Sequence, residues 1–560
     1  MQNRDVSLTH QDDLTFTFIK SPPGFRSSIN RQHFFSKVRN VFSLLAHNPV
    51  SHYCVGSMME IGNLEDFSLQ EPSRVPQEPH PLQIIRIEST GSMRQSTVTP
   101  CIDGSFANDN LGNTQVEYLF PEEAWLPITE SRNGNVFSVV VHLLSSGIGF
   151  QALLLPVAFA TLGRSWGIIS LSLAFAWQLY TTWLLVQLAE PVPGARYCRY
   201  PWLATYAFGE KLGKRLALSP VMYLSGVSYL VLQITTAGGN MKTLYKYMCD
   251  GGAICEANSL SGSTWFLIFT CMAILVAQFP NLNSITKISV IGAVTALVYC
   301  TLLWILPITK GRPSAVSYGH AERGKSDMAK FSNIFNAIGI IVLAFRGHNL
   351  VLEIQGTLPS DQKQKSSKPM WRGVTISYLI IAMCLFPLAI AGFWAYGNKV
   401  PINGGLLTAF LQVHGPETQK YAMGIIYLLA LINNLTSFQI YAMPVFDNLE
   451  FRYIMWKKKR CTWWVRTGLR LFFGGLAFFI AVAFPFLGSL APVIRGITLP
   501  LTYVYPCFMY ISIKKPRSIS AMWWLNFCLG CLGSILSVML VVAALWNLAT
   551  EGLKANFFRP

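Results

Sequence analysis

The chain divides into about eleven apolar stretches, each roughly twenty residues long, joined by short polar links. That length matches a hydrocarbon layer about 30 Å thick, crossed by a helix rising about 1.5 Å per residue. Inside lipid a backbone must satisfy its own N–H and C=O groups, and helices do so within one segment. The expected fold is therefore an all-α polytopic membrane protein. By apolar length the spans lie near 136–161, 166–189, 217–247, 263–280, 284–309, 331–354, 373–396, 418–446, 464–486, 489–511 and 521–546. Composition agrees. Of the 560 residues 52% are apolar and only 13% charged, about half the charged share of a soluble domain.

Charge sets domains and direction. The net charge is +17, yet residues 1–130 carry 9 Lys/Arg against 15 Asp/Glu. That segment is rich in Ser, Gln and Pro and reads as a mostly disordered arm. Within it RQHFFSKVRNVFSLL (31–45) is either a surface amphipathic helix or a transiently helical stretch of tail. Residues 131–547 form the membrane domain and 548–560 a short tail. The basic residues cluster in links between spans, which suits a membrane surface and not nucleic acid. With a cytosolic N-terminus roughly 20 basic residues face inward and about 12 outward. The link 310–330, with Lys310, Arg312, Arg323, Lys325 and Lys330, runs against that majority. The first 30 residues lack an apolar signal core, so the first span is expected to act as the signal.

Two spans carry interruptions. The first contains SSGIGFQALLLP (145–156), with two glycines and a proline at mid-depth. The sixth reads FNAIGIIVLAFRGHNLVLEIQ (335–355), with Gly347 between Arg346 and His348. Broken helices at corresponding positions of two halves point to an inverted-repeat transporter. Each break frees main-chain groups for a polar solute. N–H groups after Gly149, with Ser146 and Gly147 beside them, suit a carboxylate. Carbonyls around Phe345, Arg346 and Gly347 suit an ammonium group. Glycines that merely permit close helix packing are the plainer alternative.

FRGHNLVLEIQGTLPS (345–360), PMWRGVTISYLI (369–380), FWAYGN (393–398), SFQIYAMPVFDNLE (437–450) and FGEKLGK (208–214) resemble the lysine/histidine transporter-like branch of the amino acid/auxin permease family. The resemblance runs from about residue 117 to the C-terminus. It implies an eleven-helix fold of five plus five inverted-repeat helices and one extra. It also implies a plasma-membrane location and proton-coupled amino-acid uptake, with the proton gradient as driving force and no cofactor. The chain departs from the family pattern at Gly163-Arg164, Lys287 and Arg495.

Symport needs a group that titrates on the permeation path. His348 fits, since imidazole ordinarily titrates near pH 6.5; a neutral histidine bonded between helices is the alternative. Glu353 is either a proton carrier or a helix-end ion pair with Arg346 or a basic link. Lys287 either occupies the site that sodium fills in sodium-coupled relatives or snorkels to the cytosol. Thr436 and Ser437 offer hydroxyls near such a site, or bond back to their own helix. His142 is another candidate, more simply a satisfied core histidine. Asp447 is placed at the inner end of span eight as an anchor or gate partner. Tyr223 and Tyr229 can cover the substrate or serve as packing.

Twelve cysteines are scattered, mostly within apolar runs, with no zinc spacing. Cys249 and Cys255 share a short link predicted to face outward, where they form a disulfide or remain free thiols. No P-loop, nucleophile elbow or HExxH occurs, so neither catalysis nor ATP-driven pumping is indicated. The partners expected are amino acids, protons and lipid. The function expected is proton-coupled symport of neutral or cationic amino acids. Import of another carboxylate such as auxin, or amino-acid sensing without flux, are the alternatives.

Overall fold

Asn135 opens the membrane domain with a capping box. Its side chain accepts from the Ser138 amide at 2.9 Å, while Ser138 Oγ accepts from the Asn135 amide at 3.0 Å. The helix so started, α1, is Val136–Gly147. The computed structural model describes residues 125–191, 196–217, 223–249, 260–279, 284–313, 316–318, 326–345, 347–360 and 365–552. The arm 1–124, Arg346, Cys255 and the tail from 553 lie outside the described residues, as does the side chain of Tyr223.

After α1 the backbone is extended at Ile148 and Gly149. A 3-10 turn, Phe150–Leu154, leads into α2, Leu155–Leu162, with Pro156 in its first turn. The two halves are bent by 43°. In chain order there follow α3 (Arg164–Leu188), α4 (Tyr200–Phe208), α5 (Glu210–Ala217), α6 (Tyr223–Met248), α7 (Gly262–Val276), α8 (Thr286–Lys310) and α9 (Asp327–Val342). A second 3-10 turn, His348–Leu350, precedes α10 (Val351–Gly356). Then come α11 (Ser367–Tyr396), α12 (Gly405–His414), α13 (Lys420–Lys457), α14 (Trp463–Ala483), α15 (Leu487–Tyr503), α16 (Tyr505–Lys514) and α17 (Ala521–Glu551). No β-strand occurs among the described residues.

Each predicted span falls on a helix or a helix pair. Seven are long and apolar enough to cross a bilayer, and the bent α1–α2 pair makes an eighth. The others fall short for different reasons: α7 and α9 have 15 and 16 residues, and α6 is long but carries Gln233, Asn240, Lys242 and Lys246. The link 196–217 holds α4 and α5. Helix α13 runs 38 residues, well past the predicted end at 446. Asp447 therefore lies inside the helix, 1% exposed, and not at its tip.

Lipid tails are as apolar as leucine, so close packing and interhelical hydrogen bonds hold such helices together. Leu173, Leu379, Met383 and Val538 face outward accordingly. Inside, Asn433 Nδ2 donates to the Gly292 carbonyl at 3.3 Å, joining α13 to α8. Gln439 Nε2 donates to Ala273 O at 3.0 Å, joining α13 to α7. Pro500 cannot donate to the carbonyl of Gly496, and the Ser537 hydroxyl of α17 fills that place at 2.7 Å. Helix α1 packs between α8 and α11, and α2 lies against α9. The two broken segments thus meet at the centre.

Candidate functional site

At the first break the Ser146 carbonyl stands at the end of α1, where the helix gives way to extended backbone. Tyr441 of α13 supplies a donor there, its hydroxyl 3.1 Å from that carbonyl. At the second break Gly347 has φ +92°, the left-handed region open to glycine, and the chain restarts as the His348–Leu350 turn. The carbonyls before it are also taken by side chains. Gln178 Nε2 of α3 donates to Phe345 O, and the Tyr503 hydroxyl donates to Val342 O at 2.9 Å. Gln178 Oε1 lies 3.1 Å from the same hydroxyl and shares its proton, so one network braces the break.

A cavity of about 350 Å³ lies between the breaks. Phe150 and Gln151 line it from the first, Phe345, Gly347 and His348 from the second. Tyr229 of α6, Tyr441 of α13 and Arg495 of α15 also line it. Phe150 stacks on Tyr229 at 5.9 Å, and Tyr229 meets Tyr441 at 4.4 Å. The size suits a small organic solute. Two buried polar atoms at the wall, Gln151 Oε1 and His348 Nε2, have no hydrogen-bond partner among the described residues. A buried acceptor or donor left so costs about 1–3 kcal/mol unless something fills it.

At the end of the molecule bearing α4 and α5, buried charges lock the helices. Arg199 meets Asp447 through two bonds of 2.5 and 3.1 Å, and Asp447 also accepts from the Ile128 amide at 3.2 Å. Glu450 pairs with Arg466 at 3.0 Å and Arg470 at 3.5 Å. Tyr200 OH donates to Leu501 O at 2.8 Å.

The family described as "Transmembrane amino acid transporter protein" matches residues 132–549. The chain belongs to that family. Among the relatives of this transporter, "Lysine histidine transporter-like 8" of Arabidopsis thaliana is 50% identical over 79% of this chain and 84% of its own. "Lysine histidine transporter-like 7" of the same plant is 51% identical over 79% and 90%. "Lysine histidine transporter-like 1" is 32% identical over 78% and 92%. The protein is thus a multi-pass membrane transporter and not an enzyme.

The transporter's predicted site residues are brought together only in part. Gly347, Phe345 and His348 line the cavity, but Ser146, Gly147 and Gly149 do not; from the first break Phe150 and Gln151 line it instead. Ser146 is fully buried, its hydroxyl 2.8 Å from His142 O. The Phe345 carbonyl, expected to meet an ammonium group, meets Gln178. Of the two tyrosines expected to cover the substrate, Tyr229 lines the cavity. Tyr223 stands six residues earlier on α6, about 9 Å along the helix. Arg346 lies outside the described residues.

Lys287 is exposed on the first turn of α8, and no hydrogen bond joins it to Thr436 or Ser437. Thr436 Oγ1 donates to Asn433 O at 3.0 Å and meets Ser145 Oγ at 3.5 Å. Ser437 Oγ is 3.5 Å from Tyr229 OH. Gly292 of α8 presses against both Ser145 and Thr436, leaving no space for a Cβ. Glu353 is 2% exposed, has no ion pair among the described residues and leaves Oε2 unpartnered among them; Arg346, one of its expected partners, lies outside them. His142 has both ring nitrogens engaged, Nδ1 by Ser289 at 2.8 Å and Nε2 by Thr286 at 3.3 Å. His348 differs: Nδ1 meets Thr182 Oγ1 at 3.0 Å, and Thr182 meets Tyr378 at 2.9 Å. Cys249 is disulfide-bonded; Cys255 lies outside the described residues. Gln151 was legible within SSGIGFQALLLP, but only as one polar residue in an apolar run.

Proposed function

We propose that the protein imports amino acids across the plasma membrane by alternating access, coupled to protons, with its N-terminus in the cytosol. Substrate sits in the cavity between the two breaks. One observation carries this reading: broken helices from both halves contribute to one hollow whose wall holds buried polar atoms without partners. A solute with an ammonium and a carboxylate group can fill such vacancies, and apolar side chains lie against Phe150, Tyr229 and Tyr441.

In the proposed orientation the cavity wall reaches Ile402, Asn403 and Gly404 on the outer side. The Arg199–Asp447 and Glu450–Arg470 pairs close the inner side. Opening inward then requires these pairs to part as the broken segments rock against the long helices. His348 carries the proton in this reading. Its Nδ1 is held by Thr182 while Nε2 is free to take a proton at the cavity wall. Protonation places a positive charge beside the substrate, where a carboxylate favours it.

Recording current from cells expressing the protein tests the reading. Neutral amino acids should evoke inward current that is larger near pH 5.5 than near pH 7.5. Uptake without current at either pH leaves transport standing and removes proton coupling. Thermal stabilisation by amino acids with neither uptake nor current makes the protein a sensor.

A further inference from the structure

Arg495 is the one charged side chain among the described residues that line the cavity. It sits eight residues into α15, about 12 Å along the axis from the helix start. Among the described residues it makes one long hydrogen bond, Nε to its own helix at Ala491 O, 3.4 Å. No carboxylate pairs with it among the described residues, and the described cavity wall contains no Asp or Glu. The buried arginines of the inner end behave differently: Arg199 and Arg470 each face a carboxylate. A half-buried guanidinium among membrane helices, with no counter-ion among the described residues, is costly unless the anion arrives as ligand. Its planar fork matches a carboxylate through two parallel bonds.

The geometry points to Arg495 as the carboxylate receptor of this cavity, which makes the site one for substrates with a free carboxylate and no net positive charge. This rests on the cavity being the substrate site. It moves carboxylate recognition from the amides after Gly149 to a side chain on α15. Gln151 and His348, whose Oε1 and Nε2 are unpartnered, are then available to the rest of the substrate. A lysine or arginine substrate would bring a second cation into a wall whose described residues include no anion to receive it.

The test uses the purified full chain and reads ligand-induced thermal stabilisation, so it does not depend on flux. The probes are alanine, alaninamide, glutamate, lysine and indole-3-acetate. Wild type should bind alanine at least about tenfold more tightly than alaninamide or lysine, the worth of a charge-assisted pair. Arg495→Gln should lose about tenfold for alanine and bring lysine level with it. If glutamate binds best and loses most in Arg495→Gln, the guanidinium holds the side-chain carboxylate. If indole-3-acetate does, the amine is dispensable. Either result keeps the receptor. Equal binding of lysine and alanine by wild type overturns the inference. So does an Arg495→Gln protein with unchanged affinities. Should Arg495→Gln not fold, Arg495→Lys decides: it keeps the charge but not the fork, so unchanged alanine affinity removes the receptor role. Gly347→Leu separates the two readings. If it abolishes binding while Arg495 variants do not, the cavity stands and only the receptor falls.

Discussion

Gly347, at the second break, and Ser146, in the last turn of α1 before the first, lie directly against each other. A Cβ placed on Gly347 would come 3.1 Å from the Ser146 hydroxyl, and Gly347 itself has φ +92°. Any other residue at 347 meets both a backbone penalty and a crowded neighbour. Left-handed backbone costs a residue with a side chain about 1–2 kcal/mol. Gly347→Leu is expected to abolish uptake while surface biotinylation still finds the protein at the membrane. Uptake by Gly347→Leu would mean the unwound segment is not the binding site.

Tyr441→Phe removes the hydroxyl that donates to Ser146 O at 3.1 Å. The carbonyl is then left buried and bare at the first break. The expected loss is about 1–3 kcal/mol, seen as a lower thermal midpoint together with weaker uptake. A midpoint equal to wild type would show that another donor, or water, already serves that carbonyl.

His348 and His142 make a matched pair for testing proton coupling. Both are buried, but only His348 lines the cavity. His348→Gln should flatten the ratio of currents measured near pH 5.5 and pH 7.5 to about one. His142→Gln should leave that ratio unchanged, since its ring is tied to Ser289 and Thr286. If both variants keep the ratio, the coupling proton is carried elsewhere, and Glu353, with its unpartnered Oε2, is next to be tested.

Asp447→Asn weakens the paired contact with Arg199 and leaves a buried guanidinium without its anion. Breaking one side of a buried pair costs about 3–5 kcal/mol. The thermal midpoint should drop. A thiol introduced at the cavity wall by Ser228→Cys should react faster with reagents from the cytosolic side in the Asp447→Asn background. Equal reaction rates would show that the pair braces the fold without gating the path.

The sequence by itself determined the architecture at the level of lipid. Apolar length locates the spans, because a helix in hydrocarbon needs about twenty such residues. Gly147, Gly149, Pro156 and Gly347 locate the two breaks, because they act on their own backbone and need no distant partner. The motifs from Phe345 to Ser360 and from Ser437 to Glu450 were enough to indicate the family, which the match over 132–549 shows. Only the tertiary structure decided which polar groups face a common space. His142 and His348 look alike in one dimension, yet one is spent on α8 hydroxyls and the other keeps a nitrogen for the cavity. Lys287 is turned outward, whereas Arg495, 208 residues further along, joins the wall. Such assignments depend on how helices rotate and pack against one another. That is set by interhelical contacts between residues hundreds of positions apart, and no local pattern contains them.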